Sequence, residues 1–152
     1  MPDASDIILL LSEHEEAIGR LYAEYAGIFQ EDEAFWMQFS KEEFLHAEWI
    51  RSLQVLNEKE EVLFTGRFNE AALQTSLKYI HNQIEKAREG SVTRIEALSI
   101  SLSLENSLIE KKFFDAFAGD SAEVQRIRLL LVETTKKHRA AMQEAWSKNR
   151  TI

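Results

Sequence analysis

The chain of 152 residues has one proline, five glycines, no cysteine and a formal net charge of -8 at neutral pH. The lack of cysteine excludes disulfides, thiolate metal sites, iron–sulfur centres and cysteine nucleophiles, and the acidic balance argues against a nucleic-acid partner. The longest early apolar run, residues 7–11, is far shorter than the roughly 20 residues of a membrane span. We therefore expect a single cytoplasmic, all-α domain over residues 1–152, with no membrane partner.

The first third of the chain predicts two helices that each carry acidic residues within an apolar stripe. Residues 6–29 repeat apolar side chains every three or four positions, and Glu15 falls inside that stripe. After a short acidic break, residues 32–56 form a second helical pattern, in which Glu43 and His46 are three residues apart. This spacing puts both side chains on the apolar face of the helix. Because a buried carboxylate without a partner costs several kcal/mol, the pair predicts a bound cation.

The middle of the chain is predicted to connect two halves of a helical bundle. Residues 57–68 are largely polar and contain Gly66, which is typical of a loop. Asn69 is a suitable N-cap for a third helix, which Gly90 ends. Since this helix carries no convergent acidic residues, we expect it to form part of the crossover rather than part of a site.

Two further helices follow, and each carries one ligand-type side chain on its apolar face. Residues 93–96 fit a capping box for a helix that we expect to run to about Phe117. Glu105 lies in the apolar stripe of that helix. The last helix is predicted over residues 122–148, with His138 in its stripe.

Four predicted helices thus direct carboxylates or imidazoles towards one core. The residues concerned are Glu15, Glu43, His46, Glu105 and His138. Three carboxylates that converge without a cation would repel one another strongly. Carboxylate and imidazole ligands together suit iron, manganese or zinc, and a four-helix bundle builds such sites from facing side chains. We therefore predict that these five side chains bind metal in the core of a four-helix bundle.

The same residues resemble the pattern of the ferritin-like di-iron carboxylate proteins, specifically their rubrerythrin-like branch. That pattern places Glu on one helix and Glu-x-x-His on the next, and repeats both after a crossover. Residues 42–47 resemble the second helix closely, residues 104–109 resemble the third, and the resemblance covers nearly the whole chain. It implies a ferritin-like four-helix bundle whose long crossover contains an extra helix. It also implies one or two iron ions, with manganese or zinc as alternative metals.

The fourth helix departs from this pattern. Thr135 stands where the family has a glutamate that bridges the two metals, and Glu133 is on the wrong face to replace it. The predicted set of metal ligands therefore consists of three glutamates and two histidines. A di-metal site, a single-metal site and an empty site remain alternatives.

Three functions follow as alternatives. The first is an iron-dependent oxidoreductase that reduces peroxide or dioxygen, supplied with electrons by a separate protein because the chain lacks a cysteine-rich rubredoxin module. The second is a non-catalytic helical bundle with a structural metal or none, and the third is iron binding or storage. The resemblance also implies a homodimer.

Overall fold

The fold is a bundle of helices around one apolar core. The computed structural model describes residues 4–59, 63–64, 69–110, 114, 117–118 and 121–150. Its elements are α1 (Ala4–Ile28), α2 (Glu33–Glu58), β1 (Leu63–Phe64), α3 (Glu70–Arg88), α4 (Arg94–Glu110), β2 (Phe117–Ala118) and α5 (Ala122–Arg150). The predicted all-α class is confirmed, with a single two-residue strand pair as the exception among the described residues. None of the described helices combines the length and the apolar character needed to traverse a bilayer.

Helices α1 and α2 pack closely against each other in opposite directions. A 3-10 turn joins them, and the Ser40 hydroxyl donates a hydrogen bond of 2.7 Å to the carbonyl oxygen of Gly19. A Cβ atom on Gly19 would lie only 3.0 Å from the Phe44 ring, so glycine permits this close approach. The exposed pair of Glu16 and Arg51 links the same two helices nearer their other ends. These contacts fix the position of α2 relative to α1 along the bundle axis.

Helix α3 packs along α1 and runs in the same direction. His14 bonds to Ser76 at 2.8 Å, and about three helical turns further along Glu24 accepts a hydrogen bond of 3.0 Å from Arg88. The two contacts advance together along both helices, which shows that α3 is parallel to α1. The chain therefore returns through α3 to the end of the bundle at which α2 begins.

Helices α4 and α5 form the second antiparallel pair. The Arg94 guanidinium at the start of α4 bonds to Asp32 just before α2, at 2.8 Å, so α4 begins beside α2. The Trp146 indole near the end of α5 donates a hydrogen bond of 2.8 Å to Ser99 near the start of α4. The second pair is consequently antiparallel within itself and stands beside the first.

The predicted caps of α3 and α4 are present. The Asn69 side chain accepts a hydrogen bond of 3.0 Å from the amide of Ala72, which satisfies one donor of the first turn. Gly90 has a φ of 72°, a left-handed conformation that glycine adopts at low cost after a helix. The Thr93 hydroxyl oxygen accepts from the amide of Glu96 at 3.3 Å, as the capping box predicted.

The end of α4 was predicted wrongly. The described helix ends at Glu110 rather than near Phe117, and Phe117 instead pairs with Phe64 in an antiparallel ladder. The predicted loop over residues 57–68 likewise contains the strand Leu63–Phe64, whereas Gly66 lies outside the described residues. Strand pairing between such distant segments depends on how the bundle brings its ends together, and local propensity does not reveal it.

Candidate metal site

The five side chains predicted as metal ligands lie together in the middle of the bundle. They are Glu15 of α1, Glu43 and His46 of α2, Glu105 of α4 and His138 of α5, and none is more than 3 % exposed. Each projects from the apolar face of its helix, so the packing that buries those faces also gathers the polar groups. Their meeting was expected from the stripes, whereas their binding of metal stays a prediction.

Three groups form what we call the first half-site: Glu15, His46 and the Oε2 atom of Glu43. The Nδ1 atom of His46 is 3.4 Å from Glu43 Oε2 and 3.8 Å from Glu15 Oε2. Both carboxyl oxygens of Glu15, and Glu43 Oε2, have no hydrogen-bond partner among the described residues. The first half-site thus contains buried oxygen atoms that the protein itself leaves unsatisfied.

The second half-site consists of Glu105, His138 and the Oε1 atom of Glu43. The Nδ1 atom of His138 is 2.9 Å from Glu43 Oε1 and 3.5 Å from Glu105 Oε1. The buried Tyr22 hydroxyl donates a hydrogen bond of 2.8 Å to Glu105 Oε1. Glu105 Oε2 has no hydrogen-bond partner in the described part of the chain. Glu43 therefore lies between the half-sites and offers one oxygen to each.

Each of the two histidines in the cluster is held by a hydrogen bond between its Nε2 atom and a residue that lies outside the five predicted ligands. The Nε2 atom of His46 is 2.8 Å from the Thr134 hydroxyl, which donates its own hydrogen to the carbonyl oxygen of Leu130 at 2.6 Å. The hydroxyl oxygen must then accept from Nε2–H of His46. The Glu42 carboxylate likewise accepts from Nε2 of His138, at 2.9 Å. Both imidazoles consequently direct Nδ1 into the cluster, where a neutral ring has its lone pair.

The two imidazole rings are stacked side by side. Their centroids are 5.1 Å apart and their planes differ by 13°. The Phe39 ring packs edge-on against His138, with ring centroids 5.0 Å apart, and the Trp49 ring packs against His46, with centroids 5.4 Å apart. One ligand atom each from Glu43, His46 and His138 lies within 4.8 Å of the other two. The ligand atoms are therefore close enough for one small cation to touch several of them.

The cluster retains protons when no cation is bound. Burial alone would lower the pKa of His46, but the negative charges of Glu43 and Glu15 outweigh it and raise that pKa to about 10. Burial also opposes protonation of His138, yet the close carboxylates of Glu105 and Glu43 raise its pKa to about 11. Burial and the charge of Glu43 raise the pKa of Glu15 to about 8. At neutral pH a metal would have to displace these protons.

The other two histidines lie outside the cluster. His14 is buried on the side of α1 that faces α3, where it bonds to Ser76 at 2.8 Å. Burial lowers the pKa of His14 to about 4, so the ring is neutral at physiological pH. His81 is exposed on α3. Among the four histidines, the core cluster uses the two that the sequence placed inside apolar stripes.

Several partners in the site were not predicted from the sequence. Glu42 lies four residues before His46 on α2, a spacing at which the two could pair, but it contacts His138 of α5 instead. Tyr22 of α1 hydrogen-bonds to Glu105 on another helix. Its position two turns after Glu15 places it on the same helical face, which was the available signal. The choice of partner, however, depends on how α1 and α4 are rotated relative to each other.

A separate cavity of about 620 Å³ opens between α3 and α4. Its lining includes the exposed charged residues Lys86, Glu89 and Glu96, the buried amide of Gln83, and no histidine. Side chains of this kind do not form a metal-ligating or nucleophilic cluster. The reactive groups of the described residues are concentrated in the core cluster instead.

Neither a protein-family model, nor a curated protein, nor a solved structure matches this chain. The types and positions of its own side chains therefore indicate the chemistry of the core. Anionic oxygens and imidazole nitrogens together favour iron, manganese and zinc over the harder calcium and magnesium ions. The unsatisfied oxygens of the cluster fit such a cation, because it would supply the positive charge that they lack.

Proposed function

We propose that the core cluster binds one or two transition-metal ions, with iron as the expected metal. The observation that carries the proposal is a set of four buried carboxyl oxygens, on three glutamates, without a hydrogen-bond partner among the described residues. They belong to Glu15, Glu43 and Glu105. Leaving such groups unsatisfied in a protein core is costly, and a cation in contact with them removes that cost. Inward-facing Nδ1 atoms of the two histidines complete a mixed oxygen and nitrogen ligand set.

The division of ligands supports a ferritin-like arrangement. In the proposed site, Glu15 and His46 would hold the first ion, Glu105 and His138 would hold the second, and Glu43 would offer one oxygen to each. Helices α1, α2, α4 and α5 would be the four helices of the ferritin-like bundle, with α3 as the helix in the crossover. The parallel course of α3 along α1 is consistent with that connection.

We infer that the protein uses this centre to reduce peroxide or dioxygen. Iron bound there would supply the redox chemistry, and the chain would supply the positioning groups and a route for protons. Glu42, whose side chain is 40 % exposed, bonds to the buried ring of His138 and so links the cluster to solvent. Tyr22 orients Glu105 through its hydrogen bond. Electrons would come from a separate protein, and the expected homodimer remains a prediction.

One observation favours a second candidate, a non-catalytic bundle without metal. The raised pKa values of His46, His138 and Glu15 mean that these three groups hold protons at neutral pH. Two imidazolium ions then balance the carboxylates of Glu43 and Glu105, and the cluster is electrically neutral without a cation. This alternative leaves unexplained why both oxygens of Glu15 lack a hydrogen-bond donor within the described structure.

Metal analysis separates the two candidates. Protein loaded anaerobically with Fe(II) and then desalted is expected to retain about one or two equivalents of iron. Glu43→Gln removes the shared ligand and should reduce retention to less than about a tenth of an equivalent. Glu48→Gln changes an exposed glutamate of the same helix and should retain as much iron as the wild type. Failure of the wild-type protein to retain iron, manganese or zinc would reject the metal site.

A further inference from the structure

The core contacts repeat with approximate twofold symmetry between α2 and α5. On α2, His46 lies three residues after Glu43, and the preceding residue, Glu42, contacts the histidine of α5. On α5, His138 lies three residues after Thr135, and the preceding residue, Thr134, contacts the histidine of α2. The corresponding pairs are His46 with His138, Glu43 with Thr135, and Glu42 with Thr134. The two cross-contacts have nearly equal lengths, 2.9 Å from Glu42 to His138 and 2.8 Å from Thr134 to His46. The repeat therefore rests on observed contacts as well as on spacing.

The repeat is broken at a single core position. On α2 the carboxylate of Glu43 offers one oxygen towards each histidine. The equivalent position on α5 is Thr135, which is 1 % exposed and carries no carboxylate. Its hydroxyl oxygen has no hydrogen-bond partner among the described residues. A buried hydroxyl three residues before His138 therefore has an unused donor where the symmetry would place a second shared carboxylate.

The charge of a fully occupied site points to the same missing group. Two divalent cations carry four positive charges, and the carboxylates of Glu15, Glu43 and Glu105 carry three negative charges. Neutral imidazoles leave this sum unchanged, so one positive charge remains in a core that excludes water. Glu42 does not correct the imbalance inside the cluster, because it lies on the outer side of His138 and is partly exposed. An uncompensated buried charge is strongly disfavoured.

We propose that a small exogenous carboxylate, of the size of formate or acetate, binds beside Thr135 when two metal ions occupy the site. It takes the place that the Glu43 carboxylate has on the opposite side and accepts a hydrogen bond from the Thr135 hydroxyl. A threonine side chain is shorter than glutamate by about the length of a carboxylate, so the ligand restores the group that the chain lacks. This inference rests on the proposed metal function and adds a ligand of defined charge and size to it.

The first experiment measures binding of Co(II), a spectroscopic substitute for iron, by calorimetric titration of the full chain. Titrations are compared in formate and in the same concentration of chloride, at equal ionic strength. In chloride we expect one ion to bind more tightly than the second. Formate should strengthen binding of the second ion by about tenfold or more. Equal binding of two ions in both salts would overturn the proposal while leaving the metal site intact.

Variants at Thr135 test whether formate strengthens metal binding by occupying the place beside this residue. Thr135→Glu supplies the carboxylate within the chain, so two ions should bind in chloride and the formate effect should disappear. Thr135→Val keeps the shape but removes the donor, and it should weaken the formate effect. Thr75→Glu changes an exposed threonine of α3 and should behave as the wild type. If Thr135→Glu does not fold, the comparison of wild type with Thr135→Val still decides whether the hydroxyl contributes.

A direct measurement avoids any dependence on stoichiometry. Bound Co(II) should accelerate the ¹³C relaxation of labelled formate in the wild-type protein, and Thr135→Glu should abolish this acceleration. Relaxation that is equally fast in both proteins would place formate elsewhere and contradict the inference. If no Co(II), iron or zinc binds in either salt, the proposed metal function itself fails, which is a distinct result.

Discussion

The two half-sites share Glu43 but are stabilised by different means. In the second half-site both ligands have a hydrogen-bond partner from the protein. The Tyr22 hydroxyl donates to Glu105, and the Glu42 carboxylate accepts from His138. In the first half-site no hydrogen-bond donor reaches Glu15 among the described residues. The outer partner of His46 there is only a neutral hydroxyl. The second half-site thus provides hydrogen-bond partners for both of its own ligands, whereas the first leaves Glu15 without one in the described structure.

This difference shows how a nearly symmetric framework can produce two unequal sites. An imidazole that donates to a carboxylate is a more basic ligand than one that donates to a hydroxyl. We therefore expect the half-sites to respond differently to pH, to loss of a ligand and to loss of an outer partner.

The largest expected effect is a loss of stability of the metal-free protein as pH rises. His46, His138 and Glu15 all have pKa values above those of the unfolded chain, so the folded state binds more protons and its advantage falls as pH increases. The opposite effect of His14, whose pKa is lowered, is confined to acidic pH. Thermal unfolding should show Tm falling by about 10 °C between pH 7 and pH 9.

A bound metal should remove this dependence of Tm on pH. A bound cation replaces the protons, so Tm of the loaded protein should stay nearly constant over the same range, and the difference between loaded and metal-free Tm should widen with pH. A metal-free Tm that rises between pH 7 and pH 9 would contradict the assignment of extra protons to the cluster.

The next effect compares one carboxylate from each half-site in the metal-free protein. Glu105→Gln removes a charge that Tyr22 and His138 both contact, and breaking a buried network of this kind costs about 3 kcal/mol. Glu15→Gln replaces a carboxyl that is already protonated at neutral pH, so its cost should stay below about 1 kcal/mol. Chemical denaturation at pH 7 measures both free energies of unfolding. Equal costs would show that the half-sites are not stabilised differently.

A smaller effect is expected from the tyrosine of the second half-site. Tyr22→Phe removes a buried hydrogen bond to a carboxylate and should lower the free energy of unfolding of the metal-free protein by about 2 kcal/mol. Tyr25→Phe is the matched control, because the Tyr25 hydroxyl is buried on the same helix and has no hydrogen-bond partner among the described residues. That control should change stability little or raise it.

The smallest effect concerns the outer partners and is read as metal affinity. Glu42→Gln keeps an acceptor for His138 but removes its charge, and it should weaken Co(II) binding by about tenfold. Thr134→Val removes the acceptor for His46 and should weaken binding by a similar factor or less, since that bond is to a neutral group. If Thr134→Val proves the more harmful change, the proposed order of the half-sites is reversed.

Much of the framework was predictable because its signals are local. Apolar periodicity predicted all five helices. Asn69 marked the start of α3 because its side chain can cap the first turn, and Gly90 marked the end because glycine adopts a left-handed conformation at low cost. The same periodicity placed Glu15 and His138 on buried faces. The end of α4 near Phe117 was missed because a strand partner from the first half of the chain replaced the helical continuation.

The amino-acid sequence by itself determined which side chains enter the core, because a helix presents residues three and four apart on one face whatever surrounds it. Only the tertiary structure decided the pairings within that core. The heights and rotations of four helices brought Glu42 to His138 instead of His46, and Tyr22 to Glu105. They also placed the Glu43 carboxylate between two imidazoles and left the Thr135 hydroxyl without a partner among the described residues. Such contacts join residues far apart in sequence, and helical period alone contains no information about them.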